Sequence, residues 1–279
     1  MTDKNNLEEI KKAVVSGIRD YFWKNGFKTA VIGLSGGIDS SVAASLAADS
    51  LGKDNVTAVL MPERGVTSRK NFEDALELSK KLEIAHYVVP INGFMNELES
   101  ANKSFNLKSS QYAMANAKAR MRMCILYYFA NSSNSLVLGT SDKSEIALGY
   151  TTKYGDSASD IMIIGDLWKT EVIELGKFLG LPSKIISKKP SAELIVNVDA
   201  EKELGADYKI IDQILSLYIE EKMSLPEIIK KGFDRTLVKN VLERIKANEH
   251  KRKIPPIIRI SERSFHSAEW RMPITNKFL

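Results

Sequence analysis

Short apolar runs rich in β-branched residues alternate with segments of helical periodicity along the first half of this chain. The runs occupy residues 29–35, 55–62, 85–91 and 135–141, and the helical segments occupy residues 7–22, 40–51, 71–82 and 111–132. A strand that is followed by a helix and a further strand forms a parallel pair, because the helix carries the chain back across the sheet. The alternation therefore predicts an α/β fold, with a doubly wound parallel sheet and flanking helices.

The second half of the chain departs from this alternation. Residues 142–167 are rich in glycine, hydroxyl groups and charges, which predicts a long loop region, whereas residues 168–180 and 207–249 return to helical periodicity. Loops of this length in compact domains usually carry function, and ligands of doubly wound sheets bind beyond the carboxyl ends of the strands. No linker interrupts the pattern, so we expect residues 1–279 to form a single domain.

The apolar and cysteine content narrows the class of protein. No apolar run approaches the roughly 18 residues of a membrane span, and the first residues lack the pattern of a signal peptide. The sequence holds one cysteine, Cys124, on an apolar stripe of residues 111–132, and we expect it in the core. These features predict a cytoplasmic protein without a membrane partner.

The charge is unevenly distributed. It is +5 for the whole chain but +8 for residues 222–279, which carry 14 Lys and Arg against 6 Asp and Glu. A basic segment favours an anionic partner, either a nucleotide or a nucleic acid. The basic segment 250–279 either folds over the site or remains solvated.

A polar, glycine-rich loop follows the first apolar run. Residues 33–41 read Gly-Leu-Ser-Gly-Gly-Ile-Asp-Ser-Ser and lead into the next helical segment. Gly36 and Gly37 permit a tight turn with close approach to a ligand, and the amides at a helix start bind anions such as phosphate. Asp39 would repel a bare phosphate, so a carboxylate here indicates Mg²⁺, which prefers oxygen ligands and phosphates.

Other interpretations compete for the same loop. The Walker A pattern requires a lysine that the loop lacks, and the G-x-G-x-x-G dinucleotide pattern does not match. Residues 33–37 do fit the G-x-S-x-G elbow of serine hydrolases, with Ser35 as nucleophile and His250 or His266 as base. This hydrolase and a purely structural glycine turn stay open, although neither accounts for the polar residues 39–41.

Residues 35–40 resemble the SGG-x-DS signature of the ATP pyrophosphatase, or PP-loop, superfamily. Its members include NAD, GMP and asparagine synthetases and tRNA-modifying enzymes, which cleave ATP between the α and β phosphates and adenylate a substrate. The resemblance implies a fold of the Rossmann-like adenine nucleotide alpha hydrolase type. The residues that it implies at ATP are Gly33, Leu34, Ser35, Gly36, Gly37, Ile38, Asp39 and Ser40.

Later segments resemble NAD synthetases in particular, and they keep their order along the chain. They begin at residues 116 (N-A-K-A-R-M-R-M), 139 (G-T-S-D-K-S-E), 149 (G-Y-T-T-K-Y-G-D), 190 (P-S-A-E-L) and 250 (H-K-R). By this resemblance, Thr140, Lys169 and Ser191 also contact ATP, Asp39 and Glu145 hold Mg²⁺, and Asp39 and Lys169 support catalysis. The residues implied at deamido-NAD are Arg120, Lys153, Asp160, His250 and Lys251.

The implied reaction is the amidation of deamido-NAD, nicotinic acid adenine dinucleotide, to NAD. ATP is the co-substrate, an acyl-adenylate is the intermediate, and AMP and pyrophosphate are released. A glutamine amidotransferase needs a catalytic cysteine and a domain of its own, whereas only residues 1–28 precede the first apolar run. We therefore expect ammonia, free or supplied by a partner, as nitrogen donor. The resemblance also implies a homodimer.

Different functions remain as alternatives at this point. Another PP-loop adenylating enzyme, such as a tRNA-modifying ligase, would account for the basic segment, although we do not expect a nucleic-acid partner. A GMP synthetase fragment would leave the dinucleotide-type segments unexplained. A non-catalytic regulator would bind ATP without releasing pyrophosphate.

Overall fold

The predicted strands form one parallel sheet, to which a fifth short strand is added. The structure is a computed structural model that describes residues 4–104, 111–188 and 200–262. The strands are β1 Thr29–Gly33, β2 Val56–Leu60, β3 Ala85–Val88, β4 Ser135–Gly139 and β5 Ile161–Met162, in the order β3-β2-β1-β4-β5. All pairs are parallel, and Val31 in the central strand is in register with Thr57 and Val137. The predicted doubly wound α/β fold is therefore confirmed.

The helices follow the predicted segments closely in the first half of the chain. Their bounds are α1 Lys4–Asn25, α2 Ile38–Leu51, α3 Arg69–Lys81, α4 Asn92–Ser104, α5 Gln111–Ser132, α6 Lys143–Leu148, α7 Lys169–Phe178, α8 Ser183–Ile186, α9 Ala200–Leu204, α10 Tyr208–Ile219, α11 Leu225–Lys230 and α12 Arg235–Ala247. Each predicted strand ends two or three residues early, because the chain leaves the sheet to form the polar loops at its edge. The prediction that residues 142–167 form only loop was wrong, since that range contains α6 and β5.

The two faces of the sheet are covered by different sets of helices. Side chains of α1, α2, α3, α7 and α8 pack with Ile32 and Leu138 on one face. Helices α4 and α5 pack with Val31 and Val137 on the other face. A third buried cluster joins α6 to α9, α10, α11 and α12. This helical cluster adjoins the carboxyl edge of β4, so its residues can reach a ligand that is bound there.

The expectation that Cys124 lies in the core was wrong, because its side chain is exposed. Helix α5 turns Ile125 and Ala130 toward the sheet, which directs the neighbouring stripe with Cys124 and Tyr128 away from it. Tyr128 is 69% exposed for the same reason. Periodicity identified an apolar stripe but did not tell which of two adjacent stripes meets the sheet.

No helix of the described ranges is both long enough and apolar enough to cross a membrane.

Candidate active site

The glycine loop lies at the carboxyl edge of the central strand, where the strand order reverses between β1 and β4. Gly36 has φ +81°, and a Cβ built on it would lie 2.2 Å from the carbonyl oxygen of Asn71 in α3. Only glycine combines that left-handed backbone with so close an approach. Helix α2 then begins at Ile38, and its cap residue Gly37 has no side chain that could bond to the amides of the first turn. The amides of that turn are therefore suited to bind an anion.

Serine hydroxyls fix the shape of this loop. The Ser35 hydroxyl accepts a hydrogen bond from the Gly37 amide at 3.2 Å and lies 3.0 Å from the Ser40 hydroxyl. Ser41 donates to the carbonyl oxygen of Gly37 at 2.7 Å. The hydrogen bonds of Ser35 within the described residues thus go to its own loop. The Nδ1 atom of His250 lies 3.2 Å from the carbonyl oxygen of Ala247. Ser35 and His250 therefore have different hydrogen-bond partners, and this arrangement gives no support to the hydrolase alternative.

Three carboxylates and one ammonium meet beside the loop. The Lys169 Nζ atom lies 2.8 Å from Asp39 Oδ2, 2.7 Å from Asp142 Oδ2 and 2.9 Å from Glu145 Oε1. Asp39 comes from the start of α2, Glu145 from α6 and Asp142 from its cap position, and Lys169 from the first position of α7. The fold therefore brings together three segments that are far apart in sequence, and we call these four residues the acid–lysine cluster.

Burial and mutual charge shift the pKa values in the acid–lysine cluster. Burial raises the pKa of Asp142 to about 6, against the opposing effect of the Lys169 ammonium. Burial also raises the pKa of Glu145 well above its ordinary value, and the carboxylates of Asp142 and Asp39 add to that rise. Burial lowers the pKa of Lys169, but the three carboxylates outweigh it and the net shift is upward. The lysine therefore remains charged, and its ammonium is shared among the three carboxyl groups.

This donor set fits a divalent cation. One oxygen from each of Asp39, Asp142 and Glu145 lies within 4.8 Å of the others. Asp39 Oδ1 is buried and has no hydrogen-bond partner among the described residues, so it remains free to bind a cation. Carboxylate oxygens are the ligands that Mg²⁺ prefers. Asp142 was missed by the sequence reasoning, although it directly follows the Gly-Thr-Ser run after β4.

A second layer of contacts holds α6 and α7 together. Asp142 caps α6 by accepting a hydrogen bond from the Glu145 amide at 2.8 Å. Asp212 of α10 is buried, and it accepts hydrogen bonds from the Ser144 hydroxyl at 2.6 Å and from the Thr170 amide and hydroxyl at 2.9 and 2.8 Å. These bonds fix the first turn of each helix, and with it the positions of Glu145 and Lys169. Asp212 had no sequence signal, because it lies 42 residues beyond Thr170.

The acid–lysine cluster opens into a cavity of about 280 Å³. Thr140 lines this cavity with the glycine loop, and apolar side chains such as Phe72 and Met61 form another part of its wall. Lys188 also lines it and donates a hydrogen bond to the Gly36 carbonyl oxygen at 2.8 Å, a contact that the sequence reasoning missed. Ser191 lies outside the described residues. The cavity thus combines an apolar wall with an anion-binding loop, as a nucleotide requires.

Four of the residues predicted at the dinucleotide converge beside this cavity. The Lys153 ammonium donates to the His250 carbonyl oxygen at 2.7 Å, and Arg120 Nε donates to the Lys153 carbonyl oxygen at 3.3 Å. Lys251 donates to the carbonyl oxygens of Gly149 and Thr151 at 2.6 and 2.9 Å. The described start of the basic segment, residues 250–262, therefore begins against the loop after α6, and residues 263–279 lie outside the described ranges.

Asp160, the fifth residue of that set, makes contacts different from those of the other four. Its carboxylate accepts hydrogen bonds from the Val137 amide at 2.7 Å and from the Tyr127 hydroxyl at 3.2 Å. These contacts secure the start of β5 against β4. A role of Asp160 toward a dinucleotide stays a prediction.

Comparison with known proteins agrees with this geometry. The model of the family described as NAD synthase matches residues 10–255. The chain belongs to the NAD synthase family. Its NAD synthase relatives differ in length: it is 44% identical to the NH(3)-dependent NAD(+) synthetase of Methanocaldococcus jannaschii, covering 90% of this chain and 96% of that protein. It is also 44% identical to the glutamine-dependent NAD(+) synthetase of Aquifex aeolicus, covering 97% of this chain but 48% of that protein.

Solved structures of related synthetases share most of this fold. An NMN synthetase from Francisella tularensis superposes with a TM-score of 0.81 at 33% identity, covering 91% of this chain and 99% of that one. An NH3-dependent NAD synthetase from Campylobacter jejuni superposes with a TM-score of 0.76 at 31% identity, with the same coverage. The chain thus spans about half of its glutamine-dependent relatives and nearly all of its ammonia-dependent ones.

Proposed function

We propose that this chain amidates deamido-NAD to NAD with ammonia, and that it cleaves ATP to AMP and pyrophosphate to do so. The observation that carries the proposal is the acid–lysine cluster beneath the glycine loop, at the edge where the strand order reverses. A loop that binds anions beside a cation site suits a magnesium-bound triphosphate. Membership of the NAD synthase family supports nicotinate as the acid.

The chemistry requires activation of the acid before ammonia can attack. A carboxylate is a poor acceptor, because its leaving group would be oxide, whereas adenylation converts the leaving group to AMP. The substrate carboxylate attacks the α-phosphorus, and the amides at the start of α2 receive the departing pyrophosphate. The Lys169 ammonium stabilises the charge that develops on the leaving oxygens. These groups act by position and electrostatics, and no protein nucleophile is needed.

Mg²⁺ is part of this proposal as the cofactor, with Asp39, Asp142 and Glu145 as its ligands. When bound, it would offset negative charge on the phosphates. The free Oδ1 atom of Asp39 supports this assignment, since a buried carboxylate oxygen without a partner is unfavourable.

The second substrate is proposed to bind beside the first. Arg120, Lys153 and Lys251 lie at the loop after α6 together with His250, and the positive charge of the arginine and the two lysines suits the pyrophosphate bridge of a dinucleotide. Ammonia is the proposed nitrogen donor, supported by coverage of 96% of the ammonia-dependent relative from Methanocaldococcus jannaschii.

A cytoplasmic location is included in the proposal, because a single exposed cysteine suits a reducing compartment.

We also propose a homodimer that forms through the exposed aromatic surface of β3 and α5. Tyr87 and Tyr128 are 53% and 69% exposed, and both rings contact Phe129 at centroid distances of 5.1 and 5.9 Å. Contiguous exposed apolar surface marks protein interfaces. Sedimentation should show a dimer that Tyr128→Glu dissociates, whereas Trp23→Glu, which changes an exposed tryptophan of α1, leaves it intact. A monomeric wild-type protein in the same measurement would overturn the homodimer proposal.

The test of the activity is pyrophosphate release with competing acceptors. The arms are deamido-NAD, nicotinic acid mononucleotide and tRNA, each with ammonium or glutamine; the mononucleotide is included because the Francisella tularensis neighbour is named an NMN synthetase. We expect continuous release only with deamido-NAD and ammonium, because without ammonia the acyl-adenylate accumulates and release stops after one turnover. Asp39→Asn should abolish it, while Asp49→Asn, on an exposed turn of the same helix, should not. Release with another acceptor, or with none, would overturn the proposed substrate.

A further inference from the structure

Tyr208 carries a buried hydroxyl that has no hydrogen-bond partner among the described residues. The residue is 2% exposed and lines the cavity together with the glycine loop and Lys169. Buried polar groups are almost always paired, because leaving one unpaired costs free energy. An orphaned hydroxyl in the wall of a binding cavity therefore indicates a partner that arrives with the ligand.

The position of this hydroxyl is fixed from several sides. Tyr208 opens α10, whose cap Asp207 accepts a hydrogen bond from the Ile210 amide at 3.0 Å. One turn later, Asp212 is bonded to the first turns of α6 and α7. The Lys169 Nζ atom lies 5.3 Å from the centre of the Tyr208 ring. The ring thus adjoins the acid–lysine cluster on a helix that cannot shift without breaking those bonds.

The surroundings keep this hydroxyl protonated. Burial raises the pKa of Tyr208 well above its ordinary value, and the carboxylates of the acid–lysine cluster add to that rise. The group therefore cannot become a phenolate that would serve as base or nucleophile. It remains a neutral O–H group whose unused capacity is to donate one hydrogen bond.

A magnesium-bound polyphosphate satisfies two orphaned atoms of this cavity together. Asp39 Oδ1 is a buried acceptor without a partner among the described residues, and a cation would satisfy it. The Tyr208 hydroxyl is a buried donor without a partner among the described residues, and an acceptor oxygen would satisfy it. We propose that Tyr208 donates a hydrogen bond to a phosphate oxygen of bound ATP. This inference rests on the proposed function for the identity of the nucleotide, and it adds a ligand contact from α10.

The alternative is that the Tyr208 ring only packs against Lys169. Tyr208→Phe separates the two roles, because phenylalanine keeps the ring beside the ammonium and removes only the hydroxyl. Tyr218→Phe is the matched control, since Tyr218 is a half-buried tyrosine of the same helix that does not line the cavity.

The experiment measures binding of MgATP and of deamido-NAD by titration calorimetry, and thermal unfolding without ligand. For Tyr208→Phe we expect MgATP affinity to fall about 10-fold, the size of one hydrogen bond to a charged acceptor. Deamido-NAD affinity should not change. The ligand-free protein should melt at the same temperature or about 2 °C higher, because an unsatisfied group has been removed.

Unchanged MgATP affinity in Tyr208→Phe would overturn the inference, as would a loss confined to deamido-NAD or an equal loss in Tyr218→Phe. A lower melting temperature without ligand would also overturn it, because the hydroxyl would then have a partner in the free protein. Failure of the proposed function is seen separately: wild-type protein would bind MgATP but form no NAD from deamido-NAD and ammonium.

Discussion

Replacement of Lys169 by methionine tests the electrostatics of the active site most directly. Lys169 is fully buried, and its ammonium lies within 2.9 Å of all three carboxylates. At an effective dielectric constant of about 20, two carboxylate charges at the limiting separation of 4.8 Å repel by about 3.5 kcal/mol. Methionine keeps the length of the side chain but leaves these repulsions without a cation. We expect Lys169→Met to lose about 3–5 kcal/mol of unfolding free energy near neutral pH.

The pH dependence of that loss follows from the direction of the pKa shifts. Asp142 and Glu145 have raised pKa values in the folded protein, and loss of the ammonium would raise them further. A carboxyl group of this kind stabilises the fold while it is protonated, and that contribution is lost as the pH rises through its folded pKa. The destabilisation by Lys169→Met should therefore be larger at about pH 8 than at about pH 5.

Urea unfolding at these two pH values, with and without millimolar Mg²⁺, measures the effect. Mg²⁺ should recover more stability in Lys169→Met than in wild type, because it replaces the missing cation. Lys177→Met is the control: Lys177 is an exposed lysine of the same helix whose ion pair with Glu174 should contribute little. Equal unfolding free energies of Lys169→Met and wild type at the higher pH would refute the electrostatic reasoning, and the absence of rescue would refute the cation site.

Three further predictions address the loop and its supports. Gly36→Ala, whose Cβ would lie 2.2 Å from the carbonyl oxygen of Asn71, should lose about 1–3 kcal/mol of unfolding free energy and weaken MgATP binding; calorimetry showing wild-type affinity would contradict this. Asp212→Asn cannot accept all three hydrogen bonds, so kcat for pyrophosphate release should fall more than the apparent affinity for ATP falls, and an unchanged kcat would contradict the positioning role. Asp142→Asn retains a good helix cap but removes a buried charge, so the decline in stability between about pH 4 and about pH 6 should flatten relative to wild type in urea unfolding; an unchanged slope would contradict the raised pKa of Asp142.

Local sequence patterns predicted most of the strands and helices, because strand and helix periodicity are properties of short segments. These patterns did not predict α6, because its six residues are stabilised by the Asp142 cap and by contacts with α10 and α12 rather than by a long apolar stripe. They also misplaced Cys124, because the choice between two adjacent stripes of α5 depends on how that helix lies on the sheet.

Neighbouring residues alone were enough to predict the alternation of strands and helices and the glycine loop, and the carboxylate of Asp39 within that loop suggested a cation. Three features became visible in the folded protein alone: Lys169 pairs with three carboxylates, Asp142 is the most buried acid among them, and Tyr208 and Asp212 reach the same place from α10. The physical reason is that burial and charge act through space: contacts between residues more than 100 positions apart, such as Lys169 with Asp39, leave no mark in any local pattern.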